Sequence, residues 1–262
     1  AGSLLAQETP PQQPAQPATQ PAPAPSPPQF GFEAVQQAAR DLAKQGYSDN
    51  RAELPQPLRN LSYDQYRDIR FKPDQSLWRG QKLFQLQFFH VGFLYQQPVR
   101  INVVSGGQPA PVPSRPGLFD YGANNFGDKL PEDLGFAGFR IHYPLNRPDY
   151  FDELAVYLGA SYFRILGRNQ IYGASARGLA VDTAATSGED FPRFREFWIE
   201  EPGADATRLT IYALLDSRSA TGAYRFVLTP GTDTEAEVTA SVYPRRDIGK
   251  LGMAPLTSMF FF

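Results

Sequence analysis

Cysteine is absent from the 262 residues, and histidine occurs only twice. The first absence excludes thiol catalysis and cysteine-ligated metals, and two imidazoles are too few for a poly-histidine zinc site, so neither a metal nor another cofactor is expected. Charge of one sign is not in excess either. The 25 Lys and Arg are dispersed and stand against 27 Asp and Glu, a net charge of −2, which lacks the electrostatic footprint of a nucleic-acid or anionic-membrane partner. No run approaches the ~18 apolar residues that a membrane span needs. What remains is a chain suited to a neutral partner, with any catalysis left to carboxylates.

Proline, by contrast, is abundant: 25 residues, many of them before position 30. From Gln7 to Gln29 the sequence is almost wholly Pro, Gln, Ala, Ser and Thr, which predicts a disordered, partly polyproline-II leader over residues 1–29. Ala1–Gln7 reads as the tail of an apolar segment ending in a small residue, compatible with a partly trimmed export signal.

Folded sequence is expected from Phe30. Phe32, Val35, Ala39 and Leu42 recur at helical spacing before Gly46, predicting a helix over Phe32–Gln45. Ser62-Tyr63-Asp64-Gln65 is a capping box opening a second short helix that runs toward Phe71. The two helices are expected to pack at an end of a sheet. Strands are expected at Leu83–Leu94, Val99–Val104, Gly138–Tyr143, Ala160–Leu166, Gly178–Thr183 and Phe194–Glu200, then in a meander of Leu209–Leu215, Ala223–Thr229 and Glu235–Tyr243. Hairpin residues fill Ser217–Gly222 and Pro230–Thr234. The class is all-β, a sandwich with two short N-terminal helices.

The densest mixture of core and polar residues lies between Tyr157 and Pro202. On the strand at its end, period two places Arg195, Phe197 and Ile199 on one face and Phe194, Glu196, Trp198 and Glu200 on the other. Two carboxylates flanking an indole suit a sugar: acceptors for hydroxyls and a flat plate for the pyranose CH face. The alternative is that the glutamates pair with Arg164, Arg177 or Arg193 at the rim of a sheet. Glu196 and Glu200 are about 13 Å apart along a strand, too far to be the acid/base pair of a glycosidase, which needs roughly 5–9.5 Å. His90 and His142 read as satisfied sheet histidines rather than as ligands or bases. Leu256–Phe262 is an apolar, strand-like run, from which a fragment with partner strands downstream is expected.

Several blocks together resemble one family. Gly159-Ala160-Ser161-Tyr162-Phe163-Arg164, Gln170-Ile171-Tyr172-Gly173, Ser175-Ala176-Arg177-Gly178-Leu179-Ala180, Asp182-Thr183-Ala184, Glu196-Phe197-Trp198-Ile199-Glu200 and Thr221-Gly222-Ala223-Tyr224 are similar to the periplasmic glucan biosynthesis protein G and D family. So are Ile211–Ser217 and Lys250–Phe260. The resemblance runs from about Phe30 to Phe262. It implies a galactose-mutarotase-like β-sandwich, of which residues 30–262 are the first part, and an immunoglobulin-like C-terminal domain beyond this chain. It implies a periplasmic location and action on the β-1,2-linked backbone of osmoregulated glucans, as an inverting glucanase or a relative of one; the alternative is a non-catalytic protein that binds and handles nascent glucan. The family's catalytic carboxylates are expected downstream of Phe262. Within the chain, substrate contact is expected from Arg164, Gln170, Tyr172, Ser175, Arg177, Asp182, Glu196, Trp198 and Glu200.

Overall fold

The computed structural model describes Gly2 and residues 29–49, 54–186 and 188–257. The expected leader therefore lies almost wholly outside the described residues, as does most of the terminal apolar run. Among the described residues there are three α-helices: α1 (Phe32–Ala43), α2 (Gln56–Arg59) and α3 (Tyr63–Arg67). Sixteen strands accompany them: β1 (Arg70–Phe71), β2 (Gln85–Phe89), β3 (Arg100–Ser105), β4 (Gln108–Pro111), β5 (Phe119–Asp120), β6 (Gly138–Arg147), β7 (Tyr150–Leu158) and β8 (Tyr162–Ile165), followed by β9 (Ala174–Arg177), β10 (Leu179–Val181), β11 (Arg193–Glu200), β12 (Leu209–Asp216), β13 (Ala220–Thr229), β14 (Glu235–Pro244), β15 (Leu251–Met253) and β16 (Leu256–Thr257).

Two six-stranded sheets form the sandwich. The first runs β16-β9-β8-β7-β6-β2, and the second β14-β13-β12-β11-β3-β4, with β3 and β11 parallel and its other neighbours antiparallel. Alternation along each strand turns one set of side chains to the space between the sheets. There Phe139, Tyr157, Phe163, Phe194, Phe197, Tyr224 and Phe226 are all buried. Their rings meet at centroid separations of 5.0 Å for Phe139–Tyr157 and Phe139–Phe197 and 5.3 Å for Tyr157–Phe226 and Phe163–Phe226, the stacked and edge-on geometries that aromatic quadrupoles favour.

The Ser62 capping box forms as the sequence predicts, with Ser62 Oγ accepting from Gln65 N and Gln65 Oε1 from Ser62 N. The helix it opens stops at Arg67, and Arg70–Phe71 pairs with β5 as a strand instead. Nor does α1 sit at the end of a sheet. It lies across the outer face of the second sheet, where Val35 and Ala39 are buried against Trp198, Tyr212, Leu214 and Ala223. Its apolar spacing needs a flat surface, and the sheet's alternating outward residues supply one.

One strand departs from strict alternation in a way that matters. In β11 the register with β12 slips between Phe194, which faces Leu215, and Glu196, which faces Leu214. Arg195 is the extra residue of a β-bulge. The bulge puts Phe194 in the core with Phe197 and Ile199, rather than beside Glu196 and Trp198 as a regular strand would. It leaves Arg195 to donate to Asp216 Oδ2 at 2.8 Å.

Two buried tyrosines differ in one bond. Tyr224 Oη donates to Gly178 O at 3.0 Å, whereas the Tyr157 hydroxyl has no partner among the described residues. Tyr224→Phe is therefore expected to destabilise the fold by about 1–3 kcal/mol, while Tyr157→Phe should be neutral or stabilising by up to about 1 kcal/mol. Urea denaturation of the two variants checks the contrast; equal losses would contradict it.

Candidate functional site

The outer face of the first sheet is built of polar residues that alternate with the core set. Gln87 on β2 pairs in register with Arg140 on β6, Arg140 with Val156 on β7, Val156 with Arg164 on β8, and Arg164 with Ser175 on β9. These positions share one face while Phe88, Phe139, Tyr157, Phe163 and Ala176 fill the other. Hydrogen bonds and ion pairs then run across the strands. Gln87 Nε2 donates to Ser76 Oγ at 3.0 Å, and Arg140 Nε donates to Gln87 Oε1 at 3.0 Å. Glu153 stands between two arginines, its Oε2 3.6 Å from Arg140 and its Oε1 2.6 Å from Arg164.

At the end of that row the Arg164 guanidinium lies 5.4 Å from the ring centre of Tyr172, which is 52% exposed. A cationic group over a phenol face is a favourable arrangement, and it steadies a ring that otherwise stands in solvent. Arg164 Nε is buried and has no partner among the described residues. The loop that carries Tyr172 is braced by Gln170, whose Oε1 accepts from Gly167 N at 2.8 Å. It also needs a glycine: a Cβ on Gly173 would fall 1.9 Å from Ile165 O. A cleft of about 320 Å³ opens here, lined by Asp152, Glu153, Arg164, Gln170 and Tyr172 among others, and an apolar cavity of about 930 Å³ adjoins it across Gly167, Gln170, Ile171 and Tyr172.

Of the nine residues singled out from the sequence, this face brings together Arg164, Gln170, Tyr172 and Ser175. Arg177 is on β9 but buried, donating to Glu189 Oε1 at 2.6 Å and Thr183 Oγ1 at 3.1 Å, between the rings of Tyr162 and Phe191. Asp182 holds a left-handed turn (φ 55°) and accepts from Lys250 N at 2.9 Å. The trio on β11 belongs to the other sheet. Glu196 accepts from Arg100 at 2.7 Å and Asn102 at 3.1 Å. Trp198 is buried under α1 with its ring 5.3 Å from that of Phe30, and Glu200 accepts from Tyr212 Oη at 2.5 Å. The three do share a face, but α1 covers the indole between the glutamates, so no flat plate is open to a sugar there.

Gln87, Arg140 and Glu153 were not singled out from the sequence. The signal was present. In Gln85–Phe89 and Gly138–His142, polar residues alternate with Leu86, Phe88, Phe139 and Ile141, and a polar residue held at strand period opposite a core face is a candidate for a site.

The two histidines are neutral structural groups. The His90 ring is buried, with Nδ1 2.6 Å from Val91 O and Nε2 3.1 Å from Tyr121 Oη. The His142 ring places Nδ1 3.1 Å from Phe151 O and leaves a buried Nε2 without a partner, as a neutral ring protonated at Nδ1 allows. Burial lowers both pKa values below the ordinary 6.5. A histidine whose pKa falls on folding takes up its proton more readily in the unfolded chain. Its stabilising contribution is thus complete above pH 6.5 and declines as pH falls below it. A His90→Gln/His142→Gln double variant should lose stability less steeply than the parent between about pH 6.5 and 5. Denaturation midpoints against pH test this, and parallel curves would refute it.

Comparison with known proteins adds one consistent result. The family model of the periplasmic glucan biosynthesis protein MdoG matches residues 30–262. Similar relatives include the glucans biosynthesis protein G of Ralstonia nicotianae, 59% identical over 234 residues, covering 89% of this chain and 46% of the relative. That of Dickeya dadantii is 49% identical over 234 residues, covering 89% and 45%. That of Vibrio cholerae is 48% identical over 232 residues, covering 88% and 43%. The chain thus spans a little under half the length of these relatives.

Proposed function

Because the chain belongs to the family of periplasmic glucan biosynthesis proteins, we propose that the outer face of its first sheet is a surface on which a β-1,2-linked glucan backbone lies. One observation carries the reading: the row Arg140–Glu153–Arg164, ending in the half-exposed ring of Tyr172 beside an open cleft. Guanidinium N–H groups donate to sugar hydroxyls, carboxylate and amide oxygens accept from them, and a phenol ring covers the apolar face of a pyranose. The row is fixed by its own cross-strand bonds, so little ordering accompanies binding. Gln170 extends the polar surface at the same end, with Ser175 buried beside it, and no cofactor enters the reading.

Hydrolysis of the same backbone by an inverting route would require a general acid and a general base. The carboxylates of the cleft are engaged. Asp152 accepts from the backbone and side-chain nitrogens of Asn146 at 2.9 Å each, and Glu153 is held by two arginines. The reading best supported for residues 30–262 is therefore glucan binding and guidance. For the whole protein, glucanase activity is a further proposal, with its acid/base pair assigned to the part of the relatives that this chain does not span.

Tyr172→Ala and Arg164→Ala should each weaken binding of linear β-1,2-glucan by about 1–3 kcal/mol, the usual cost of a lost ring contact or charged hydrogen bond. Arg177→Ala should instead lower stability. Calorimetry on folded variants reads the first effect and thermal denaturation the second; unchanged affinity in both surface variants would place the sugar elsewhere. Absence of reducing-sugar release from the same glucan is expected of this chain.

A further inference from the structure

The device that holds Tyr172 occurs twice on the outer face of the first sheet. In the first copy Glu153 lies 2.6 Å from Arg164, whose guanidinium is 5.4 Å from the centre of a ring that is 52% exposed. In the second, Glu189 Oε1 accepts from Arg177 at 2.6 Å, and that guanidinium is 5.5 Å from the centre of the Phe191 ring, which is 54% exposed. Arg177 is itself buried, donating also to Thr183 Oγ1 at 3.1 Å and lying 5.7 Å from the ring centre of Tyr162. A phenyl ring has no polar atom that seeks water, so its place at the surface is set by the fixed cation on which it rests.

Strand pairing locates the two rings. In the β8–β9 ladder Ile165 faces Ala174 at one end and Tyr162 faces Arg177 at the other. Tyr162 and Arg177 are one period of two from the paired Arg164 and Ser175, so all four share the outer face. Tyr172 sits in the loop that joins the two strands, and Phe191 rests at the opposite end of the ladder. Three residue steps separate those ends, about 10 Å, more than one pyranose ring spans. Phe191 also borders a cleft of about 510 Å³ whose charged walls balance, Asp49, Glu189 and Asp190 against Arg193, Arg218 and Arg246. Walls of both signs supply donors and acceptors without favouring an ion, which suits a ligand of neutral hydroxyls.

We propose that Phe191 is a second sugar platform, and that a β-1,2-glucan lies along the β8–β9 ladder with one glucose unit on Tyr172 and a later one on Phe191. This rests on the glucan reading above and adds to it a requirement for length. A short sugar covers one ring and a long one covers both, and two linked contacts gain affinity only for a chain that reaches across. Phe191 touches the sugar. Arg177 and Glu189 are positioning residues that act through the ring.

The test is calorimetric titration with the β-1,2-linked disaccharide of glucose and, separately, with long linear β-1,2-glucan. The parent should bind the long glucan at least about tenfold more tightly than the disaccharide. Phe191→Ala should cut that ratio at least about fivefold and keep disaccharide affinity within about twofold, since Tyr172 still serves the short sugar. Phe191→Leu, apolar but without a flat face, should behave like the alanine variant, whereas Phe191→Trp should keep the parent's ratio. Trp78 and Trp198 are both buried, so the new indole should also change its emission as long glucan is added. All three variants should melt within a few degrees of the parent, because the side chain stands half in water; if Phe191→Ala does not fold, the contrast between Phe191→Leu and Phe191→Trp decides. A parent that binds no long glucan overturns the glucan reading and this proposal with it. If the parent binds and Tyr172→Ala weakens the long glucan, but Phe191→Ala or Phe191→Leu keeps the parent's ratio, the glucan reading stands and this proposal alone is overturned.

Discussion

A single inserted residue, Arg195, governs how the two sides of the second sheet are divided. A strand of strict period two would send Phe194 outward with Glu196 and Trp198 and would open a gap in the aromatic seam between the sheets. The bulge returns Phe194 inward, where its ring meets Phe197 at 5.4 Å and Tyr224 at 5.2 Å. The same displacement aims Arg195 at Asp216, a carboxylate 1% exposed that Arg245 holds from the other side. Removing either partner of such a buried cluster strands a charge, so core packing and charge pairing are specified by one local distortion. Close packing behind it leaves little room: a Cβ on Gly178 would stand 2.7 Å from Phe194 Cζ.

The sandwich has two outer faces, and the chain treats them oppositely. Over the second sheet α1 closes the face with Val35 and Ala39, and the residues beneath it, Trp198 and Tyr212, are apolar in body, with the Tyr212 hydroxyl turned to Glu200. The first sheet carries cross-strand ion pairs and amides instead. A row such as Gln87–Arg140–Glu153–Arg164 would be a poor surface for a helix, because docking one would desolvate three charges at once. It is a good surface for a ligand that brings its own hydroxyls.

Much of this was legible in the sequence for physical reasons. Period-two runs at Leu209–Leu215 and Glu235–Tyr243 and the periodicity of Phe32 to Leu42 translate directly into β12, β14 and α1, and the family blocks fix the fold class and its relatives. The strand β7 was missed: in Tyr150–Leu158 a register slip places Leu154 and Ala155 both in the core, which erases the alternation. The same cause hid the true face of Phe194. Gln56–Arg59 was missed because four residues carry too little periodicity to read. Within the site, Arg164, Gln170, Tyr172 and Ser175 came from one contiguous block, but Glu153 and Arg140 reach Arg164 only through strand pairing. Trp198 looked like a sugar plate because a sequence cannot say that a helix more than 150 residues earlier lies over it.

That helix has a consequence for how the chain assembles. Gln36 donates to Ser241, Thr221 to Ala39 O, and Arg245 to Leu42 O and Gln45 O. These contacts span 182 to 205 positions, so α1 has nothing to dock on until β12 to β14 have formed. Contacts of such long range carry the largest loop-closure cost and come late. Among the described elements α1 thus precedes in sequence every strand it packs on, yet depends on them for its placement. Trp198, one of only two tryptophans, passes from solvent to cover at that moment and is a built-in optical reporter of the closing step.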